Sequence, residues 1–143
     1  MNKKLRELLD EINGLKTQVI NLTEQGKLEE AKEAKKNLRA KARPELVSIP
    51  ESIDAYDTII LAYPNYWGTM PMAVFTFLEA FDFTGKTILP LCTNEGSGMG
   101  KSERDIKKTC PGAVVKGGLP ITGSMAGESR ETLKRWLKAN RLI

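Results

Sequence analysis

The run TIILA at residues 58–62 leads directly into the loop YPNYWG at residues 63–68. A continuously apolar run of this length is typical of a strand that is covered on both faces, as in a parallel sheet. The next segment, residues 71–81, predicts a buried helix because its large apolar side chains recur at helical spacing. Strand, loop and helix in this order are the first half of a βαβ unit.

The same order occurs twice more along the chain. Residues 87–92 predict a second strand, and the glycine loop NEGSGMG at residues 94–100 leads into a helix over 101–110. A third strand is predicted to begin at residues 113–117, and a last helix over 128–140. Alternating strands and helices predict an α/β fold with right-handed crossovers and a parallel sheet.

Two of the predicted loops fall beyond the carboxyl ends of neighbouring strands, where open parallel sheets bind their ligands. The loop YPNYWG offers two large aromatic rings, and TNEGSG at residues 93–98 offers small residues whose backbone N–H groups can approach a ligand closely. Together they suit a flat heteroaromatic ring with hydrogen-bonding edges.

Composition excludes several classes of function. The 143 residues include no histidine, which excludes Ser-His-Asp and Cys-His catalysis and the commonest zinc sites. No side chain stands out as a catalytic acid, base or nucleophile, and no metal site is predicted. Cys92 and Cys110 form no disulfide framework, so we expect a cytoplasmic protein. No apolar run approaches the roughly 20 residues of a membrane-spanning helix, and the basic start opens no signal sequence.

Residues 1–43 differ from the rest in charge and pattern. They carry 11 Lys/Arg and 7 Asp/Glu, so the whole net charge of +4 belongs to them. The interleaved glutamates and the lack of aromatic residues argue against nucleic-acid binding. Leucine and related residues recur from position 5 to 22 at heptad spacing, Gln25-Gly26 interrupts the pattern, and residues 27–41 are strong helix formers. We predict a helical hairpin or coiled-coil arm over 1–43, followed by a separate domain over 44–143.

The arm resembles a known segment. The run KKLRELLDEINGLKTQVINLTEQGKLEEAKEAKKNLRA at residues 3–40 is similar to the N-terminal helical arm of the major capsid proteins of tailed phages. The resemblance implies a helical segment that self-associates. No shell-forming domain follows, so assembly of a capsid is not implied.

The second domain resembles the flavodoxin-like, FMN-binding family. The run YDTIILAYPNYWGTMPMAVFTFLEAFDFTGKTILPLCTNEGSGMGKSERDIKK at residues 56–108 is similar to the family pattern "YPNWWGTMPM…FLE…F…GK…P.CT.EGSG", and the similarity extends from about residue 42 to 143. The resemblance implies FMN as cofactor, electron transfer or oxidoreductase chemistry, and a redox partner protein. The implied contacts to the ring are Pro64, Asn65, Tyr66, Trp67 and Gly68, and those to its pyrimidine side are Thr93, Asn94, Glu95, Gly96, Ser97 and Gly98.

The chain departs from the family in one respect. The family's first strand and the Ser/Thr-Gly loop that cradles the FMN phosphate have no counterpart before residue 44, which predicts a truncated flavodoxin-like sandwich and weak FMN binding. The strand at 58–62 then becomes an exposed edge that the N-terminal helices or another subunit would cover, which predicts a homo-oligomer. The alternative function is a non-catalytic assembly module, in which the arm drives oligomerisation and no cofactor binds.

Overall fold

The computed structural model describes residues 32, 35, 36 and 40–143. It confirms an α/β fold in which a parallel sheet is flanked by helices. None of the helices in these residues is both long and apolar enough to cross a membrane. The elements in chain order are β1 (Thr58–Pro64), α1 (Met72–Glu79), β2 (Thr87–Asn94), α2 (Ser102–Thr109), β3 (Val114–Val115), β4 (Leu119–Thr122), a 3-10 helix (Gly123–Glu128) and α3 (Arg130–Ala139).

β2 is the central strand of the sheet. β1 pairs with it along its whole length, from Thr58 opposite Thr87 to Pro64 opposite Thr93. β3 and β4 both pair with the other edge of β2, all in parallel. This register places the ends of β1 and β2 side by side, so the loops that follow them must meet.

The third predicted strand begins where the sequence indicated, and it is broken into β3 and β4. Val114 lies opposite Thr87, whereas Leu119 lies opposite Leu91, so one extra residue is inserted between β3 and β4. The insertion falls at Gly117-Gly118, where the Gly118 N–H donates to the Glu103 carboxylate at 2.6 Å. The sequence predicted only where this strand begins, at residues 113–117, and glycine and Pro120 are poor strand formers. The strand resumes because Ile121 is buried against α3.

The core lies on both faces of the sheet, because alternate residues of each strand point to opposite sides. One cluster packs Leu61 and Ile88 against α1 and α2. The other packs Leu91 and Ile121 against α3. In the first cluster the buried Tyr63 hydroxyl donates to Ser102 Oγ at 2.7 Å, which ties β1 to the start of α2.

β1 forms one edge of the sheet, because within the described residues it pairs with β2 alone. Ile59 and Ile60 are half-exposed, whereas every residue of β2 after Thr87 is buried. The predicted cover of this edge and the predicted oligomer stay predictions. Most of the predicted arm lies outside the described residues, although 32, 35 and 36 are helical.

The segment between residue 40 and β1 is attached to α1. The Arg43 guanidinium donates to both carboxylate oxygens of Glu79, at 2.8 Å each, and lies 4.8 Å from the Phe75 ring centroid. The hydrogen bonds raise the pKa of Arg43 and lower that of Glu79. Because both side chains are partly exposed, we expect this ion pair to contribute at most about 1 kcal/mol.

Both cysteines are buried, and burial raises the pKa of Cys92 to about 12 and that of Cys110 to about 11. At pH 8 the folded chain therefore holds both as thiols, whereas an unfolded thiol with a pKa of about 8.5 is partly ionised. Alkylation by iodoacetamide at pH 8 should be at least about 100-fold slower in the folded protein than in urea. Equal labelling rates would contradict this packing.

The same shifts predict a pH dependence of stability. Above about pH 8.5 the unfolded chain releases these two protons while the folded chain retains them, so the unfolded state binds fewer protons. The free energy of unfolding should therefore fall with rising pH, by up to about 1.4 kcal/mol per pH unit for each thiol. Urea denaturation between pH 8 and 10 measures this slope, and a flat profile would show that the thiols are not desolvated.

Candidate functional site

The loop after β1 is a tight turn that presents an aromatic ring. Tyr66 and Thr69 exchange backbone hydrogen bonds, at 2.7 and 3.2 Å, across Trp67 and Gly68. Both central residues are left-handed, with φ of 54° at Trp67 and 86° at Gly68. A non-glycine residue in this region costs roughly 1–2 kcal/mol. The strained turn leaves the Trp67 side chain 53% exposed.

Tyr66 lies beside this turn and is half-buried. Burial raises the pKa of its hydroxyl above the ordinary value, so the phenol is neutral at physiological pH. The loop therefore offers one exposed and one partly covered aromatic side chain, both uncharged.

The loop after β2 is folded around the side chain of Asn94. Its Oδ1 accepts the N–H of Gly96 at 2.9 Å and of Gly98 at 3.0 Å, and its Nδ2 donates to the Ile121 carbonyl at 3.3 Å. Gly96 and Gly98 have φ of 113° and 59° and open space where a side chain would begin. Within the described part of the chain, the N–H groups of Glu95 and Ser97 have no hydrogen-bond partner.

Asn65 joins the two loops. Its Nδ2 donates to the Gly98 carbonyl at 3.0 Å, and its Oδ1 accepts the Gly68 N–H at 2.9 Å. Its own N–H donates to the Thr93 carbonyl at 2.7 Å. The structure thus brings together the two loops that the sequence placed at neighbouring strand ends.

A second contact between the loops is made by backbone alone. The Lys101 N–H donates to the Gly68 carbonyl at 2.8 Å, directly after Gly100. Gly100 has φ of 53°, and a Cβ there would overlap the Gly68 carbonyl oxygen. Gly100 was not among the predicted site residues, although its place in the glycine loop was the available signal.

The eleven predicted contact residues fall into three classes of burial. Pro64, Thr93 and Asn94 are buried, Asn65, Tyr66, Gly68 and Gly98 are intermediate, and Trp67, Glu95, Gly96 and Ser97 are exposed. The Thr93 hydroxyl is a buried polar atom without a partner among the described residues. The residues with side chains or backbone accessible to a ligand are Tyr66, Trp67, Glu95, Gly96 and Ser97. Asn65 and Asn94 shape the loops, because their amides are already hydrogen-bonded within the protein.

Two further features border the loops. The Glu95 carboxylate lies against Gly123 at the start of the 3-10 helix, where a Cβ would overlap Oε1. The Lys35 ammonium lies 4.8 Å from the centroid of the Trp67 ring, which is cation–π distance. Neither of these two contacts was predicted from the sequence.

A cavity of about 620 Å³ lies between α1 and α2, and its lining includes Thr69 and Lys101, which directly follow the two loops. Its charged groups include Glu79, which pairs with Arg43, and Asp105, which accepts a hydrogen bond from the Thr69 hydroxyl at 2.6 Å. Its aromatic side chain, Phe75, is covered by the Arg43 guanidinium. The cavity therefore lacks the free ring and the free N–H groups that the two loops offer.

Comparison with known proteins supports an assignment of the fold. Residues 16–140 match the family model described as Flavodoxin. A structure described as a flavoprotein from Bacteroides uniformis ATCC 8492 is 34% identical, with a TM-score of 0.66 over 74% of this chain and 66% of that one. One from Bacteroides eggerthii DSM 20697 is 30% identical, with a TM-score of 0.65 over 75% of this chain and 65% of that one.

A third structure is a flavoprotein in complex with FMN from Lactobacillus acidophilus NCFM. It is 17% identical, with a TM-score of 0.52 over 68% of this chain and 66% of that one. At this identity the likeness shows the fold alone. This chain spans just under two thirds of each of the three proteins. A search of the curated proteins found no match. The family match begins at residue 16, inside the segment in which the sequence resembled a capsid arm, and that resemblance gains no support from it.

The contact between the loops predicts that Gly100→Ala destabilises the protein. The new Cβ meets backbone at the Gly68 carbonyl, and the left-handed φ of 53° adds strain. We expect the free energy of unfolding to fall by at least about 2 kcal/mol. Gly117→Ala is the matched control, because nothing lies within 4 Å of its added methyl group. Urea denaturation compares the two, and equal midpoints would contradict the close approach.

Proposed function

The chain belongs to the flavodoxin family, and from this membership we propose that its two loops bind the isoalloxazine ring of FMN. The observation that carries the proposal is the pairing of an exposed aromatic ring with unpartnered backbone N–H groups across the Asn65 contact. A planar ring with polar edges needs both kinds of partner, one for its face and one for its edge.

The residues present fit a flavin. Trp67 offers its face for stacking, and Tyr66 lies next to it. The N–H groups of Glu95 and Ser97 are donors that suit the carbonyl oxygens on the pyrimidine side of the ring. The open space at Gly96 and Gly98 lets a ligand approach this backbone without meeting a side chain. We assign the remaining predicted contacts, Pro64, Asn65, Gly68, Thr93 and Asn94, to holding these groups in place.

Bound FMN supplies the one- and two-electron chemistry of flavins. The chain's own residues bind and orient the ring, and the apolar face of Trp67 excludes water from one side of it. From the family we propose electron transfer or an oxidoreductase step with a redox partner protein. This role, like the site, rests on family membership together with the loop geometry.

We further propose that FMN binds weakly. The sequence before β1 contains two glycines, Gly14 and Gly26, and no Ser/Thr-Gly loop of the kind that holds a phosphate. Each charge-assisted hydrogen bond to a phosphate contributes roughly 1.5–3 kcal/mol, so lacking three of them costs about 5–9 kcal/mol. We expect a dissociation constant in the high micromolar range or above.

Titration with FMN tests the proposal, followed by absorbance near 450 nm and by flavin fluorescence. The variant Trp67→Asn removes the ring but keeps a residue that tolerates the left-handed turn. Stacking of a base on an aromatic side chain is worth about 1–3 kcal/mol, so we expect at least fivefold weaker binding. The free energy of unfolding should change by less than about 1 kcal/mol, because the relief of backbone strain offsets the lost contacts.

Tyr56→Asn is the matched control, because Tyr56 is an aromatic residue that is 60% exposed and lies outside both loops. It should leave FMN binding unchanged. The proposal is wrong if FMN at millimolar concentration leaves the spectrum of the mixture unchanged, or if Trp67→Asn binds FMN as the unaltered chain does.

A further inference from the structure

A cluster of lysines lies next to the exposed ring of Trp67. Lys32, Lys35 and Lys36 are helical and border a cavity of about 550 Å³ together with Ala40. Lys35 and Lys36 follow Lys32 by three and four residues, so both share a face of the helix with it. Lys35 connects this cavity to the proposed flavin site, because its ammonium lies 4.8 Å from the Trp67 ring centroid.

The charges in this cluster suit an anion. The ammonium groups of Lys35 and Lys36 line one cavity, so a phosphate placed there lies close to charges of opposite sign. The cluster also belongs to the segment that carries the whole net positive charge of the chain, +4. A lysine ammonium binds phosphate as a point charge, without the fixed geometry that a backbone loop requires.

We propose that Lys35 and Lys36, with Lys32 on the same cavity, bind the phosphate group of the flavin mononucleotide whose ring stacks on Trp67. The inference rests on the proposed function and names the residues that receive the phosphate. The ribityl chain of FMN is flexible, so a phosphate on a ring at Trp67 can reach an ammonium that already touches that ring. The contact between Lys35 and Trp67 is a single cation–π pair at a partly exposed site, which a bound flavin can displace.

The test compares FMN with riboflavin, which has the same ring and lacks the phosphate. At 50 mM salt we expect FMN to bind at least tenfold more tightly, and the ratio to fall as salt is raised to 500 mM, because exposed charges are screened. Inorganic phosphate should weaken the binding of FMN and leave the binding of riboflavin unchanged. Each dissociation constant is measured by flavin fluorescence.

The double variant Lys35→Gln/Lys36→Gln should bring the FMN affinity down to that of riboflavin. Riboflavin itself should bind no more weakly than before, because the cation–π pair that its ring displaces is absent. A riboflavin affinity that does not fall separates loss of the phosphate contact from damage to the ring contact at Trp67. Lys107→Gln/Lys138→Gln is the matched control, because it makes the same change in net charge at two exposed lysines on α2 and α3. In this control the ratio of FMN affinity to riboflavin affinity should equal that of the unaltered chain.

Equal binding of FMN and riboflavin by the unaltered chain would overturn this inference and leave the proposed flavin site standing. The inference would also be overturned if Lys35→Gln/Lys36→Gln still bound FMN more tightly than riboflavin by the original ratio. An equal fall of this ratio in the control variant would overturn it too. If neither flavin binds, both the proposed function and this inference are wrong. Circular dichroism of each variant verifies that the comparison is made between folded proteins.

Discussion

The candidate site depends on the side chain of Asn65. Its amide accepts from the turn after β1 and donates to the loop after β2, so this side chain links the two loops, together with the backbone hydrogen bond from Lys101 to Gly68. The parallel register of β1 and β2 brings the loops together, and the contact of Gly100 with Gly68 lets the backbones approach closely enough for the amide to span them. Asn94 supports the arrangement because its side-chain Oδ1 accepts two backbone N–H groups of its own loop.

These contacts leave a strained and exposed residue at the centre of the site. Trp67 has a left-handed backbone that a tryptophan adopts only at a cost, and its ring is more exposed than buried. Neither property helps the chain to fold. Strain and apolar exposure at one position are typical of a functional site, where the surrounding structure holds a residue in place for a ligand. This is the physical reason to assign a role in binding to Trp67, in addition to the family to which the chain belongs.

Much of the fold could be predicted because apolar runs and helical spacing are local properties. The strands at 58–62 and 87–92 and all three helices were found within a few residues of their observed ends. The continuation of the third strand as β4 was not predicted separately, because it depends on tertiary packing of Ile121 against α3, which outweighs the poor strand propensity of its neighbours. The proximity of the two loops was predictable from strand order. The roles of Asn65, Asn94 and Gly100 could not be predicted, because they depend on contacts that exist only in the folded loops. Asn65 and Gly100 contact the other loop, and Asn94 contacts the backbone of its own loop.

The central claim is that the turn at Trp67 and the glycine loop form one binding site for a flavin ring. Amide chemical-shift mapping of the isotopically labelled chain during titration with riboflavin tests it most directly, because riboflavin reports on the ring alone. We expect the largest shifts at residues 66–68 and 95–98, together with the indole N–H of Trp67. Shifts centred instead on the cavity between α1 and α2, or the absence of any shift at residues 95–98, would contradict the account.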